Sequence, residues 1–221
     1  MTPPALEATL KPLRHSPRLP DIVEALQTQL SDEAQRRRKF YQDMSDEQKM
    51  EFIDGEVVLH SPARNWHLIA QKNLLKLLDT YVQMTQRGAV RHEKCLCIFP
   101  RNDYEPDIVF FGPEKAAAFG PETMKFPVPE FAVEVLSKST KGRDRGVKFE
   151  DFAAHGVAEY WIIDPELETV EQYLPNGDVY ELALKSGSGF IESPVIAGFR
   201  IPIRAIFDET ENLGALRTLL S

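Results

Sequence analysis

Residues 131–136 read FAVEVL, an apolar run carrying a single carboxylate. Strand periodicity puts Phe131, Val133 and Val135 on one face and Ala132, Glu134 and Leu136 on the other, so Glu134 is surrounded by apolar neighbours. An isolated buried carboxylate costs several kcal/mol, and must be protonated, paired with a cation or bound to a metal ion. Taken alone, such an acid reads first as half of a structural ion pair. The run then breaks into SKSTKGRDRGVK, where Lys138, Lys141, Arg143, Arg145 and Lys148 face one acid, Asp144.

A second apolar run, YEPDIVFFG, carries Asp107 just inside its start, behind Pro106. Alone, Asp107 reads as a turn residue after proline. Two acids at similar positions in neighbouring strands can instead converge on one hard cation, since Mg²⁺ prefers carboxylate oxygens and keeps several waters.

Around these runs the chain divides into segments. Pro3, Pro4, Pro12, Pro17 and Pro20 forbid a continuous helix over the first twenty residues and suggest an extended arm. Residues 21–44 read as two helices with Ser31 and Asp32 as a cap between them, and Arg36, Arg37, Arg38 and Lys39 form a solvated helix surface. Asp54-Gly55 marks a hairpin. NWHLIAQKNLLKLLDTYVQM reads as an amphipathic helix with Leu68, Leu75, Leu78 and Val82 on one face. Strands are expected at 90–99, 106–111 and 131–136, then a helix over 144–155 ended by Gly156, then further strands with a hairpin turn at 175–178. The order lacks the alternation of a doubly wound fold, so the class is α/β (α+β) with a mixed central sheet flanked by helices. Three segments follow: an N-terminal arm and helical extension over 1–45, a main domain over 46–207, and a C-terminal helix over 208–221.

The 221 residues carry a net charge of −8, which argues against a protein that coats nucleic acid nonspecifically but allows a local phosphate site. No apolar stretch is long enough for a membrane helix and no signal-type core is present, so a cytoplasmic location and no membrane partner are expected. Cys95 and Cys97 read as small buried residues.

Pro106-Asp107 in one strand, Glu134 within EVLSKST in the next, Asp144 and Lys148 at the start of a helix, and AEYWIIDP at 158–165 together resemble the Uma-two family of restriction-endonuclease-like proteins, within the PD-(D/E)XK nuclease superfamily. The hairpin FIDGEVVLHSP and a helix beginning near His67 also fit. The resemblance covers roughly residues 46–207.

The resemblance implies a restriction-endonuclease-like core in which Asp107, Glu134 and the backbone carbonyl of Val135 bind Mg²⁺ or Mn²⁺. A strict motif would have lysine two residues after Glu134, where this chain has Leu136. The resemblance gives the role to Lys148 on the following helix; Lys138 competes for it, and a surface pair with Glu150 or Asp151 is the structural alternative. Glu56 and His67 are secondary catalytic candidates, against a solvated hairpin acid and a helix-start histidine. Asp144 is expected to cap its helix, with metal binding as the alternative. Lys138, Lys141, Arg143 and Arg145 would hold flanking phosphates. The implied activity is metal-dependent endonuclease cleavage of nucleic acid, DNA foremost. Cutting both strands of a duplex suggests in addition a two-fold homodimer, with the strands after residue 160 and the N-terminal helices as its interface. The alternative is a noncatalytic nucleic-acid-binding or protein-interaction module.

Overall fold

The computed structural model describes residues 4–45 and 48–220; Pro3 and the expected domain start at residue 46 lie outside them. Helices α1 (Pro4–Arg14) and α2 (Leu19–Asp43) precede the hairpin β1 (Met50–Ile53) and β2 (Glu56–Leu59) and the long helix α3 (Asn65–Thr85). Strands β3 (Ala89–His92), β4 (Leu96–Ile98), β5 (Asp103–Tyr104) and β6 (Ile108–Phe111), helix α4 (Pro113–Ala116), and strands β7 (Lys125–Phe126) and β8 (Phe131–Val135) follow. The remainder is α5 (Lys141–Asp144), α6 (Val147–Ala154), β9 (Glu159–Asp164), β10 (Thr169–Asn176), β11 (Val179–Ser186), β12 (Phe190–Glu192), β13 (Arg200–Pro202), α7 (Arg204–Phe207) and α8 (Glu209–Leu219).

The main sheet has the order β11-β10-β9-β8-β6-β3, with β8 antiparallel to β6 and parallel to β9. A second sheet runs β2-β1-β5-β4-β7, and β12 pairs with β13 in a small ribbon. This is the mixed α/β architecture expected. The period of two in β8 is realised as expected. Phe131, Val133 and Val135 enter one core with Leu74, Leu77, Leu78 and Val82 of α3, while Ala132 and Leu136 enter another with Phe152 of α6. Each such side chain contributes about 1.5–3 kcal/mol on burial.

Several local expectations are corrected. Residues 4–14 form a helix rather than an extended arm, with Pro4 at its start and Pro12 inside it. Pro20 sits in the first turn of α2, where a missing N–H costs nothing. No break occurs at Ser31 and Asp32: α2 is continuous for 25 residues. Its Arg36 donates to the carbonyl of Gly55, and Arg37 to the Asp103 carboxylate and the carbonyls of Phe99, Pro100 and Asn102. Part of the basic cluster therefore pins α2 to the second sheet. In α3 the buried stripe is Leu74, Leu77, Leu78 and Val82; Leu68 is exposed and Leu75 only partly buried. The expected strand 90–99 is two strands in different sheets, turned at Glu93 and Lys94, both with positive φ.

Both hairpin turns stand as read. Asp54 (φ 51) and Gly55 (φ 83) join β1 to β2, and Gly177 (φ 67) lies between β10 and β11. The expected helix over 144–155 is instead two short helices, α5 and α6, ending before Gly156. At the break a Cβ on Gly146 would lie 2.7 Å from the Gly142 carbonyl oxygen, so the sharp bend requires glycine. That bend points Lys148 inward.

Candidate active site

The last registered pair of β6 and β8 is Ile108↔Val133. One step further along an antiparallel pair, Asp107 comes opposite Glu134, on the same face of the sheet. The Val135 N–H donates to Asp107 Oδ2 at 2.8 Å, which ties the first acid to the strand of the second. Lys49 Nζ is 2.9 Å from Asp107 Oδ1, and His67 Nε2 is 3.6 Å from Oδ2. Gln71, one helical turn beyond His67, donates to the Asp107 carbonyl at 3.0 Å.

Lys148 is almost completely buried, with Nζ 2.7 Å from Glu134 Oε1, 2.8 Å from Glu51 Oε1 and 3.7 Å from Asp144 Oδ1. It makes no surface pair with Glu150 or Asp151; Asp151 instead accepts from Asn102 and Tyr104. Glu51 is fully enclosed, with Oε2 2.9 Å from His60 Nε2 and Oε1 accepting the Glu105 N–H.

Four carboxylates, Glu51, Asp107, Glu134 and Asp144, thus share two ammonium groups, Lys49 and Lys148. The imbalance shows in their ionisation. Burial disfavours charge on all of them, but Lys148 and His60 hold Glu51 down at about 2. Lys49, His67 and the Val135 N–H likewise outweigh burial and hold Asp107 well below the usual carboxylate range. Burial, with Asp144 and Asp107 adding repulsion, pushes Glu134 up despite Lys148, and burial also raises Asp144. Burial opposes charge on Lys148 too, yet Glu134, Glu51 and Asp144 together push its ammonium up. One ammonium cannot keep three carboxylates ionised.

This donor set fits a hard divalent cation. The carboxylates outnumber the ammonium groups, both Asp144 oxygens are buried without a hydrogen-bond partner, and oxygen ligands are what Mg²⁺ and Mn²⁺ take. As the side chains stand, among the described residues no three His, Cys, Asp or Glu groups converge as a metal site, and the two lysines lie against Asp107 and Glu134.

The cluster forms part of a cleft of about 860 Å³ lined also by Lys138, Lys141 and Arg143. The sequence candidates Asp107, Glu134, Val135, His67 and Lys148 therefore meet in one place. Three candidates do not take the expected positions. Glu56 is exposed on the hairpin, and Glu51, on the partner strand, has the inward acid. Arg145 turns away to pair with Glu171 and Tyr173. Asp144 ends α5 and is buried, so it caps no helix N-terminus. Sequence reasoning missed Lys49, Glu51 and His60. Their signal was the alternation in KMEFI, which sets Lys49 and Glu51 on one side of β1.

No curated protein matches this chain. A crystal structure from Anabaena variabilis ATCC 29413, described as a putative nuclease belonging to DUF820, superposes with a TM-score of 0.66 at 19% identity, covering 78% of this chain and 96% of that one. At that identity the likeness is one of fold. A family model, Uma2, described as "Putative restriction endonuclease", matches residues 14–204. The match begins well ahead of residue 46 and takes in α2, the helix that Arg37 fastens to the second sheet. With most of its length matched, the chain belongs to the Uma2 family.

Proposed function

We propose that this protein is a Mg²⁺- or Mn²⁺-dependent endonuclease that hydrolyses phosphodiester bonds of DNA. The observation that carries the reading is the meeting of Asp107 and Glu134 across β6 and β8 with the Lys148 ammonium on Glu134. Asp107, Glu134 and the Val135 carbonyl would hold the cation, with Glu51 and Asp144 near enough in the cluster to add to its negative charge. When bound, such a cation polarises a phosphodiester oxygen and lowers the pKa of a coordinated water.

The chain's own groups prepare that chemistry. Lys148 is kept charged and fixed by Glu51 and Glu134, so its ammonium is available to orient an attacking water and to stabilise charge on the phosphate. Lys49 keeps Asp107 ionised. Lys138, Lys141 and Arg143 line the cleft and would position flanking phosphates without reading sequence. Arg145, engaged by Glu171, is left out of that set. A two-fold dimer would use the exposed Val23, Leu26 and Leu30 of α2, and sedimentation showing only monomer at micromolar concentration would remove it.

One observation favours a noncatalytic module: Leu136, at the place of the motif lysine, is buried in the core and can hold neither water nor phosphate. The approach of Lys148 to Glu134 weighs against it. Cleavage of supercoiled DNA with Mg²⁺ or Mn²⁺ by the wild type, lost in both Glu134→Ala and Lys148→Ala, would support the nuclease. A wild type that neither cleaves nor gives a heat of Mn²⁺ binding would favour the module.

A further inference from the structure

The chain has two tryptophans, and they are placed oppositely: Trp161 is fully buried, whereas Trp66 is 41% exposed. Trp66 lies in the first turn of α3, beside His67, and lines the same cleft as Asp107 and Glu134. The guanidinium of Arg64, the residue that begins the helix, sits 5.4 Å from its ring centroid. A cation over one face of an indole fixes the ring and leaves its other face for a second flat partner. Exposed Leu59 continues the apolar wall, and Lys138, Lys141 and Arg143 also line the cleft.

An aromatic surface beside a cationic track is the arrangement that takes a single strand: the bases stack and the backbone follows the charge. A base inside a duplex has no free face to offer. The cleft volume of about 860 Å³ falls in the range of pockets that enclose a small molecule, which suits an unstacked nucleotide better than a double helix.

We propose that Trp66, held by Arg64, is a stacking platform for an unpaired nucleobase of single-stranded DNA, placed next to the scissile phosphate. The inference rests on the nuclease reading for its substrate class, and it adds a preference for unpaired over duplex DNA. The platform is a binding determinant and takes no part in proton transfer.

The test uses the full chain in EDTA, so that binding is read without cleavage. An oligo-dT 12-mer should quench the emission of Trp66, and an abasic 12-mer with the same phosphates should not. Anisotropy of the labelled dT strand should show Trp66→Ala binding weakened roughly 5- to 150-fold and Trp66→Phe binding nearly as well as wild type. A blunt duplex should bind Trp66→Ala and wild type equally. Equal affinity for dT and abasic strands, or no change in Trp66→Ala, would overturn the platform. Quenching by oligouridine RNA but not by DNA would overturn the choice of DNA. Nicking of supercoiled DNA by the wild type with Mn²⁺, and its loss in Glu134→Ala, reports separately on the nuclease reading.

Discussion

Lys148 Nζ lies 2.7 Å from Oε1 of Glu134, with both side chains buried and Glu134 at the wall of the cleft. A helix residue has thereby reached the acid of the central strand, across the bend that Gly146 permits. Removing this ammonium leaves Glu134 buried without its ammonium partner and Glu51 with His60 in contact. Lys148→Ala is therefore expected to lower stability by about 3–5 kcal/mol and cleavage by roughly 100-fold or more. Urea unfolding beside a cleavage assay checks both; an unaltered unfolding midpoint would mean that the buried charges are balanced elsewhere.

Lys49 does for Asp107 what Lys148 does for Glu51. Burial alone would raise Asp107, and the neighbouring ammonium is the largest influence holding it down. In Lys49→Met the carboxyl should retain its proton to higher pH, so the acidic limb of the cleavage profile should move upward. A profile superimposable on the wild type would show that Lys49 has no part in ionising Asp107.

Glu105 offers a pH effect on stability separate from cleavage. Burial, helped by Glu51 and opposed by Lys49, raises it from 4.5 to about 7, and its Oε2 is buried without a partner. Between these values the native state holds a proton that the unfolded chain has released. Stability should therefore fall as pH rises through this window, by on the order of 3 kcal/mol. Glu105→Gln should gain on the wild type at pH 8 and lose that advantage near pH 4.5. Parallel unfolding curves at the two pH values decide it.

Arg37 anchors α2 by a two-pronged contact with the fully buried Asp103 and by three backbone carbonyls. Arg37→Ala should cost about 3–5 kcal/mol, because Asp103 is left unpaired. Arg37→Lys should recover only part of that, since an ammonium cannot reproduce the fork. Thermal unfolding midpoints should therefore run from wild type down through Arg37→Lys to Arg37→Ala.

The two strand acids were legible because each is a charge in an apolar run, whereas Lys148 was reached through the family resemblance. The alternation of FAVEVL translated directly into two cores. Glu51 was hidden because the alternation in KMEFI is too short to show which side is buried, and the family resemblance pointed to Glu56 on the partner strand. The burial of Glu51 comes from Lys148 and the Glu105 backbone, both far away in sequence. The N-terminal helices were misread because prolines were counted as breakers, although Pro4 and Pro20 occupy first turns. The continuity of α2 past Ser31 owes something to Glu33, a buried acid joined by Arg101 from the second sheet.

The strand that carries Glu134 has neighbours on both edges and a core against each face. Its amides should be among the last to exchange with deuterium, opening only when the whole domain opens. Trp66 and Lys141 lie instead at helix starts and Lys138 in a loop, where replacement disturbs little of that interior. Side chains at the rim can thus be exchanged while the acidic cluster beneath stays locked in place.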